Sequence, residues 1–259
     1  MILLYHHVAP LDRVPKNGAG DHSEGWHFNH SPEAFEFQLS ELQQRGYHFV
    51  SLSQLIHEIR ATGSEPEGSV VITFDDGWID NYTYAFPVLK KLKIPATFFV
   101  VTNFLRQNTP SSTRMNLEQL HELSAHGMTI GSHTKTHPDL TVISSDEAAQ
   151  EIAGSKDDLQ NALERPVDFL AYPGGGFNSR VADLAREAGY RAACSVLGPK
   201  TNDQSSLYWL YRDLLTPGLD SLGDRYRLSR IARKAFAFRV NRRLKQRLQN
   251  TPHSRPAAK

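Results

Sequence analysis

The sequence predicts an α/β fold whose parallel strands close, or nearly close, into a barrel of seven or eight strands. Three observations lead there. Apolar runs of strand length alternate with helical patterns, the signature of repeated βα units. The strand cores are apolar at consecutive positions, as expected of strands covered on both faces. Polar residues recur just after strand C-termini, where barrel sites are built. An open doubly wound sheet is the rival arrangement, weakened by the absence of a dinucleotide glycine fingerprint or a phosphate loop.

The first strand, Ile2–Tyr5, runs into two adjacent histidines, His6 and His7, and a polar stretch follows to His30. In SPEAFEFQLSELQQRG, Ser31 caps a helix, Pro32 takes its first position, Phe35, Leu39 and Leu42 form one stripe, and Gly46 ends it. YHFVSL is the next strand, and Ser53 opens a short helix carrying Leu55, Ile56 and Ile59. A loop with Gly63, Pro66 and Gly68 leads into VVITF. A helix around Tyr84–Leu92 precedes the strand ATFFVV, and a helix opened by Asn116 ends at Gly127 before MTIGS. The capping box Ser144/Glu147 starts a helix through Ile152, Leu159 and Leu163 that leads to DFLAY. Asn178 caps another helix that stops at Gly189; YRAACSV follows, and LYWLYRDLL adds a last strand. From Tyr226 to Leu248 a helix carries Leu228, Ile231, Ala235 and Phe238 along one side and arginines elsewhere. The expected division is a barrel over 1–224 and a basic helical tail over 225–259, disordered at its end.

The composition is that of a globular protein, 39% hydrophobic and 22% charged over 259 residues. No run of about 18 apolar residues exists, which excludes a helical membrane span. The start lacks the charged and long apolar regions of a secretory leader. Cys194 is the single cysteine, so neither an internal disulfide nor a cysteine-built zinc site is available. A cytoplasmic protein is expected. The net charge of +1 conceals a division: residues 225–259 hold 12 of the 29 Lys and Arg and none of the 28 acids, leaving 17 basic against 28 acidic residues, net −11, in the preceding 224. A basic amphipathic helix can lie on the anionic inner face of a membrane, so peripheral contact through 225–248 is one of its readings. It could instead hold an anionic or lipid-linked glycan, or pack on the acidic barrel. Nucleic acid is not expected, because no recognition motif accompanies the charge.

VVITFDDGW is the most informative stretch. An apolar strand delivers Asp75 and Asp76 into a turn at Gly77. Adjacent carboxylates in an apolar setting call for a cation or a shared proton, although a surface Asp-Asp-Gly turn reads the same in isolation. GSHTKTHPDL supplies His133 and His137, spaced i, i+4, so that one helical turn brings both rings to one side. Neutral imidazoles suit zinc and other borderline divalent metals. A histidine pair at this spacing is commonly incidental, but its place after a strand matches that of the aspartates. Two histidines and one carboxylate leave a position open for water, as in catalytic zinc sites. The second carboxylate is then free to take a proton. In FLAYPGGGFN, three glycines expose backbone amides suited to a developing oxyanion, or form a flexible loop before the Asn178 cap.

TFDDG, HTKTH and YPGG, in this order on successive strand ends, resemble the polysaccharide deacetylase family, and the resemblance runs over about residues 1–215. It implies a distorted (β/α)7–8 barrel and metal-dependent removal of N- or O-acyl groups from sugars. By position, Asp75 resembles the general base, and Asp76, His133 and His137 the metal ligands. Zn2+ is the expected ion, with Ni2+ or Co2+ as alternatives. A backbone amide of Tyr172, Pro173, Gly174 or Gly175 helps hold the oxyanion. There are departures. Where many members carry an arginine two residues before the motif proline, this chain has Ala171, and Gly174 replaces the usual aromatic. Arg212, in WLYRD, is the candidate substitute for orienting Asp75. The late Leu-x-His motif that supplies the acid in many members is missing, and His253 lies in a polar tail. Amide hydrolysis needs an acid for the departing amine, and histidine titrates in the useful range. The sequence resembles a circularly permuted branch, including deacetylases of bacterial exopolysaccharides, in which this histidine sits on the first strand, and LLYHHV fits it. Strand alternation sends His6 and His7 to opposite sides. His6 is assigned as the acid and His7 as a packing or hydrogen-bonding residue. His22, His27 and His30 are read as loop surface or substrate contacts.

The functional reading is a metal-dependent carbohydrate deacetylase, a hydrolase of carbon–nitrogen bonds other than peptide bonds. It removes N-acyl groups, above all N-acetyl, from amino-sugar glycans or, better suited to a cytoplasmic location, lipid-linked glycan precursors. Deformylation or O-deacetylation of a sugar precursor is a variant of it. Two readings differ in class. A catalytically silent glycan-binding barrel is favoured by the missing arginine and late histidine and opposed by the intact set Asp75, Asp76, His133 and His137. An adaptor would use the barrel only to present the basic tail.

Overall fold

The computed structural model describes residues 1–14, 26–106 and 113–215. His22 and the stretch 225–259, with its expected helix, lie outside the described residues.

β1 (Ile2–Tyr5) is apolar and buried along its whole length. β2 (His7–Val8) pairs in parallel with β3 (Asn29–His30). α1 (Pro32–Gln44) begins as its sequence predicts: the Ser31 hydroxyl accepts from the Ala34 N–H, and Phe35, Leu39 and Leu42 face the core. β4 (His48–Phe49) is short, and α2 (Leu52–Thr62) starts before the expected position. Its cap is Ser51 and not Ser53, because Gln54 completes a capping box with Ser51. β5 (Ser69–Phe74) is wholly buried. A wide turn over Asn81–Ala85 feeds α3 (Phe86–Leu92), which leads to β6 (Ala96–Val100). α4 (Leu117–Ala125), β7 (Thr129–Ser132), α5 (Ser145–Leu163), β8 (Phe169–Ala171) and α6 (Ser179–Glu187) follow, with Asn116, Ser144 and Asn178 as the three helix caps. β9 (Ala192–Ser195), β10 (Leu210–Tyr211) and β11 (Asp213–Leu214) complete the described chain.

The strands run in the order β10-β9-β8-β7-β6-β5-β1-β11, all pairs parallel, with β4 added to β5 off this path. β10 and β11 are two halves of one stretch broken at Arg212. The first half pairs with β9 at one edge of the sheet and the second with β1 at the other. The final strand predicted over LYWLYRDLL is therefore split because it serves two neighbours, and in doing so it closes the barrel. The fold expected from the sequence, a (β/α) barrel, is the one observed.

Strand alternation fills the interior. Ile2, Val71, Phe99, Phe169, Ala171, Ala192, Cys194 and Leu210 form one buried cluster with Leu52, Leu55, Ile56 and Ile59 of α2. The pairs Phe169/Ala171 and Ala192/Cys194 show the period of two. Gly131 is required here: a Cβ at that position would stand 2.5 Å from the Phe99 ring. The same alternation carries the next inward position of each strand to the C-terminal mouth, where Asp75, His133 and Arg212 lie.

Candidate active site

Asp75 follows β5 and is buried among other charges. Arg212, at the break between β10 and β11 and itself 1% exposed, donates from both terminal nitrogens to the two Asp75 oxygens at 2.7 Å each. Such a fork matches a carboxylate better than any lysine could. Burial pushes the Asp75 carboxyl up, but Arg212 and His133 outweigh it and hold the group at about 2. Burial likewise opposes the Arg212 charge, and Asp75 more than restores it. Arg212 thus stands in contact with Asp75, while Ala171 leaves its own position in β8 small.

Asp76, His133 and His137 converge. The Asp76 Oδ1 lies 3.5 Å from Nε2 of each histidine, and the three donor atoms fall within 4.8 Å of one another. Tetrahedral zinc with arms of about 2.1 Å has edges of roughly 3.4 Å, so two edges of this triangle already fit. The chemistry of the donors fits as well. His133 Nδ1 donates to the Ala171 carbonyl at 2.8 Å, which fixes the tautomer and aims the Nε2 lone pair at Asp76. Burial lowers the His133 pKa despite Asp75 and Asp76, favouring the neutral, ligating form. His133 is buried, whereas the His137 side chain is 37% exposed, so the site opens on the His137 side.

The i, i+4 spacing does not reflect a helical turn. Thr134 and His137 both have φ of +66°, and Asp76 has +72°. Left-handed backbone at a β-branched residue such as Thr134 costs on the order of 1–3 kcal/mol. Local hydrogen bonds offset it: Thr134 N–H donates to Ser132 Oγ, and His137 N–H to Thr134 Oγ1. Glu151 of α5 accepts from the Lys135 and Thr136 amides and the Thr136 hydroxyl at 2.7–2.9 Å. These bonds, and not helical periodicity, bring the two rings together. Glu151 went unseen in the sequence because it looks like any polar residue on a helix.

The two N-terminal histidines separate as alternation requires. Burial lowers the His6 pKa, and Asp75, Asp76 and Arg212 are among the charges bearing on it. Its ring stacks on Phe28, its carbonyl accepts from Asn81, and its buried Nδ1 makes no hydrogen bond among the described residues. His7 is fully buried, with Nδ1 bound to Asp80 at 2.6 Å. His30 is not a surface residue: it is buried, against Gln38 and the Leu215 carbonyl.

Hydrogen bonds narrow the choice within the glycine run. Tyr172 N–H donates to the Cys194 carbonyl and its hydroxyl to the Tyr208 carbonyl; Gly175 N–H donates to Tyr172. Pro173 has no N–H to give. Of the four, Gly174, exposed and with φ of +61°, is the residue left to offer an amide. It borders a groove of about 640 Å³ with His137, Phe177 and Leu197. Phe177 stacks between Tyr172 and Trp209.

A parallel barrel with an Asp-His-His cluster at its C-terminal mouth, beside an arginine-paired carboxylate, defines a barrel class with a polar site of metal-ligand donor type at its strand ends. The family model described as polysaccharide deacetylase matches residues 62–193, and the chain belongs to that family of hydrolases. It is 27% identical over 198 residues to the poly-β-1,6-N-acetyl-D-glucosamine N-deacetylase of Staphylococcus aureus, covering 72% of this chain and 67% of that protein. Among solved structures it is similar to the Streptococcus pyogenes deacetylase PplD in complex with acetate, at 28% identity and a TM-score of 0.74, over 86% of this chain and 94% of that one. It is also similar to IcaB from Ammonifex degensii, at 27% identity and a TM-score of 0.70, over 83% and 91% of the two chains.

Proposed function

We propose that the chain is a metal-dependent N-deacetylase of N-acetylated amino-sugar glycans, with Asp76, His133 and His137 holding a divalent ion, Zn2+ by donor type. One observation carries this: Asp76 Oδ1 is 3.5 Å from both imidazole Nε2 atoms, while the neighbouring Asp75, 3.9 Å from His133 Nε2, is bound through both oxygens by Arg212. Adjacent carboxylates thus have different partners, as a ligand and a base must. The likeness to an N-deacetylase of poly-β-1,6-N-acetyl-D-glucosamine supports an N-acetylated glucosamine polymer as the substrate class.

When bound there, the ion supplies Lewis acidity, lowering the pKa of water from 15.7 to about 7 and polarising the acyl carbonyl. Asp75, ionised at every working pH, accepts the proton of the attacking water. The Gly174 amide donates to the carbonyl oxygen as negative charge gathers on it. The proton that Asp75 takes up passes through His6 to the sugar nitrogen as the C–N bond breaks, leaving acetate and the amine. Arg212 keeps both Asp75 oxygens in one orientation throughout.

Release of acetate from N-acetylglucosamine oligomers tests the reading. Turnover is expected to vanish with chelator and to return with Zn2+. Asp75→Asn is expected to keep the ion and lose at least a hundredfold in kcat. Undiminished acetate release by Zn2+-loaded Asp75→Asn protein would refute it.

A further inference from the structure

The metal reading gives one carboxylate oxygen to the ion, and the other oxygen of Asp76 has a partner of its own. Trp78 Nε1 donates to Asp76 Oδ2 at 3.1 Å, leaving Oδ1 as the atom that faces both histidines. We propose that Trp78 is a positioning residue, which fixes Asp76 as a one-oxygen ligand and sets the affinity of the site. The proposal rests on the metal reading above.

Trp78 is suited to this because it is immobile. It is 2% exposed and packed against a second ring and a guanidinium. The tilted His7 ring has its centre 4.4 Å from that of the indole, and the Arg114 guanidinium lies over the indole 3.0 Å from the ring centre. His7 is held in turn, stacked on Trp26 at 4.0 Å and 7° and bound to Asp80 through Nδ1. The backbone is sewn down as well: Ile79 N–H donates to the Thr113 carbonyl and Met115 N–H to the Gly77 carbonyl, both at 2.9 Å. Trp26, His7, Trp78 and Arg114 thus form one packed column of contacts. A cation over the indole face also polarises its N–H and strengthens it as a donor. A carboxylate in a left-handed turn, φ +72°, has no rigid strand to orient it. The indole supplies that orientation, and the column gives His7 a purpose that its burial alone does not explain.

Trp78→Phe keeps the ring and removes the donor. In the full-length protein, stripped of metal, Zn2+ affinity measured against a chromophoric chelator is expected to fall 10- to 100-fold. The visible spectrum of the Co2+ form is expected to change as Asp76 turns, with the near-ultraviolet dichroism of the metal-free protein preserved. Affinity within twofold of the parent and an unchanged Co2+ spectrum overturn the proposal. A parent that binds no Zn2+ overturns the metal reading itself. A second measurement needs no Trp78 variant. The chain has three tryptophans, hence three indole N–H resonances. Saturation with Zn2+ is expected to shift that of Trp78, and Asp76→Ala to abolish the response; a Trp78 resonance indifferent to Zn2+ overturns the proposal.

Discussion

Asp75 and Asp76 are neighbours in the chain with opposite surroundings. Asp75 is buried against a two-pronged arginine; Asp76 is shared between two imidazoles and an indole. A buried ion pair of this kind is strongly destabilising to break, by about 3–5 kcal/mol, because the survivor keeps its charge without a partner. Its pH dependence has a definite sign. The Asp75 carboxyl stands near 2 in the folded chain against an ordinary 3.8, so the pair stabilises fully above about pH 4 and the contribution, on the order of 2 kcal/mol, is lost as pH falls from there through 2. Arg212→Met removes the counter-charge and leaves burial to raise that pKa. Its denaturant midpoint is therefore expected to lie far below the parent's at pH 7 and to recover part of the gap on acidification to pH 4. Midpoints measured at pH 7, 5.5 and 4 decide the matter, and equal offsets at all three pH values would show that the pairing is not what holds Asp75. The aspartates and His133 and His137 were legible because their spacing is motif-like. Which residue of Tyr172–Gly175 has an amide to spare was not legible, because no sequence shows that an amide is already committed to a carbonyl elsewhere.

Helix starts were read from the sequence almost without error, since a cap is a local bargain between residues three apart. Ser31, Asn116, Ser144 and Asn178 all cap where predicted. The exception, Ser51 for Ser53, turned on Gln54 as the reciprocal partner. The His133–His137 loop was harder. Between its left-handed residues Thr134 and His137, the Lys135 and Thr136 amides are held by Glu151, which belongs to another element. Glu151→Ala leaves the Lys135 and Thr136 amides without their acceptor and frees the loop. Zn2+ affinity by calorimetric titration is expected to weaken by about tenfold, with the helical dichroism of the chain unchanged. Parent-like affinity would mean that the loop holds its shape unaided. The broken strand at Arg212 has the same lesson: LYWLYRDLL reads as one strand, and only its two partners explain the break.

For the whole molecule, closure matters most. Residues 210–214 join β9 to β1, and the arginine at their centre reaches Asp75 across the barrel mouth. Charge divides the chain as well, with 12 of 29 basic residues in 225–259. On sequence grounds that stretch favours an anionic membrane surface, and the proposed deacetylase is expected to sediment with vesicles containing phosphatidylglycerol, less so as salt rises. Deleting 225–259 is expected to end sedimentation while turnover of soluble oligomers stays within twofold. Vesicle binding that survives the deletion would place the contact elsewhere.

What this sequence determined by itself was everything carried by near neighbours: the alternation of strands and helices, the caps, the inward parity of each strand and the chemistry of its motifs. Tertiary structure decided which of His6 and His7 shares the cluster's charges, that Arg212 pairs with Asp75, that Trp78 bonds Asp76, and that Glu151 bonds the loop between His133 and His137. The reason is physical. Periodicity and capping act over three or four residues, whereas the meeting of positions 75, 133 and 212 depends on how a twisted sheet closes, and no local pattern records that.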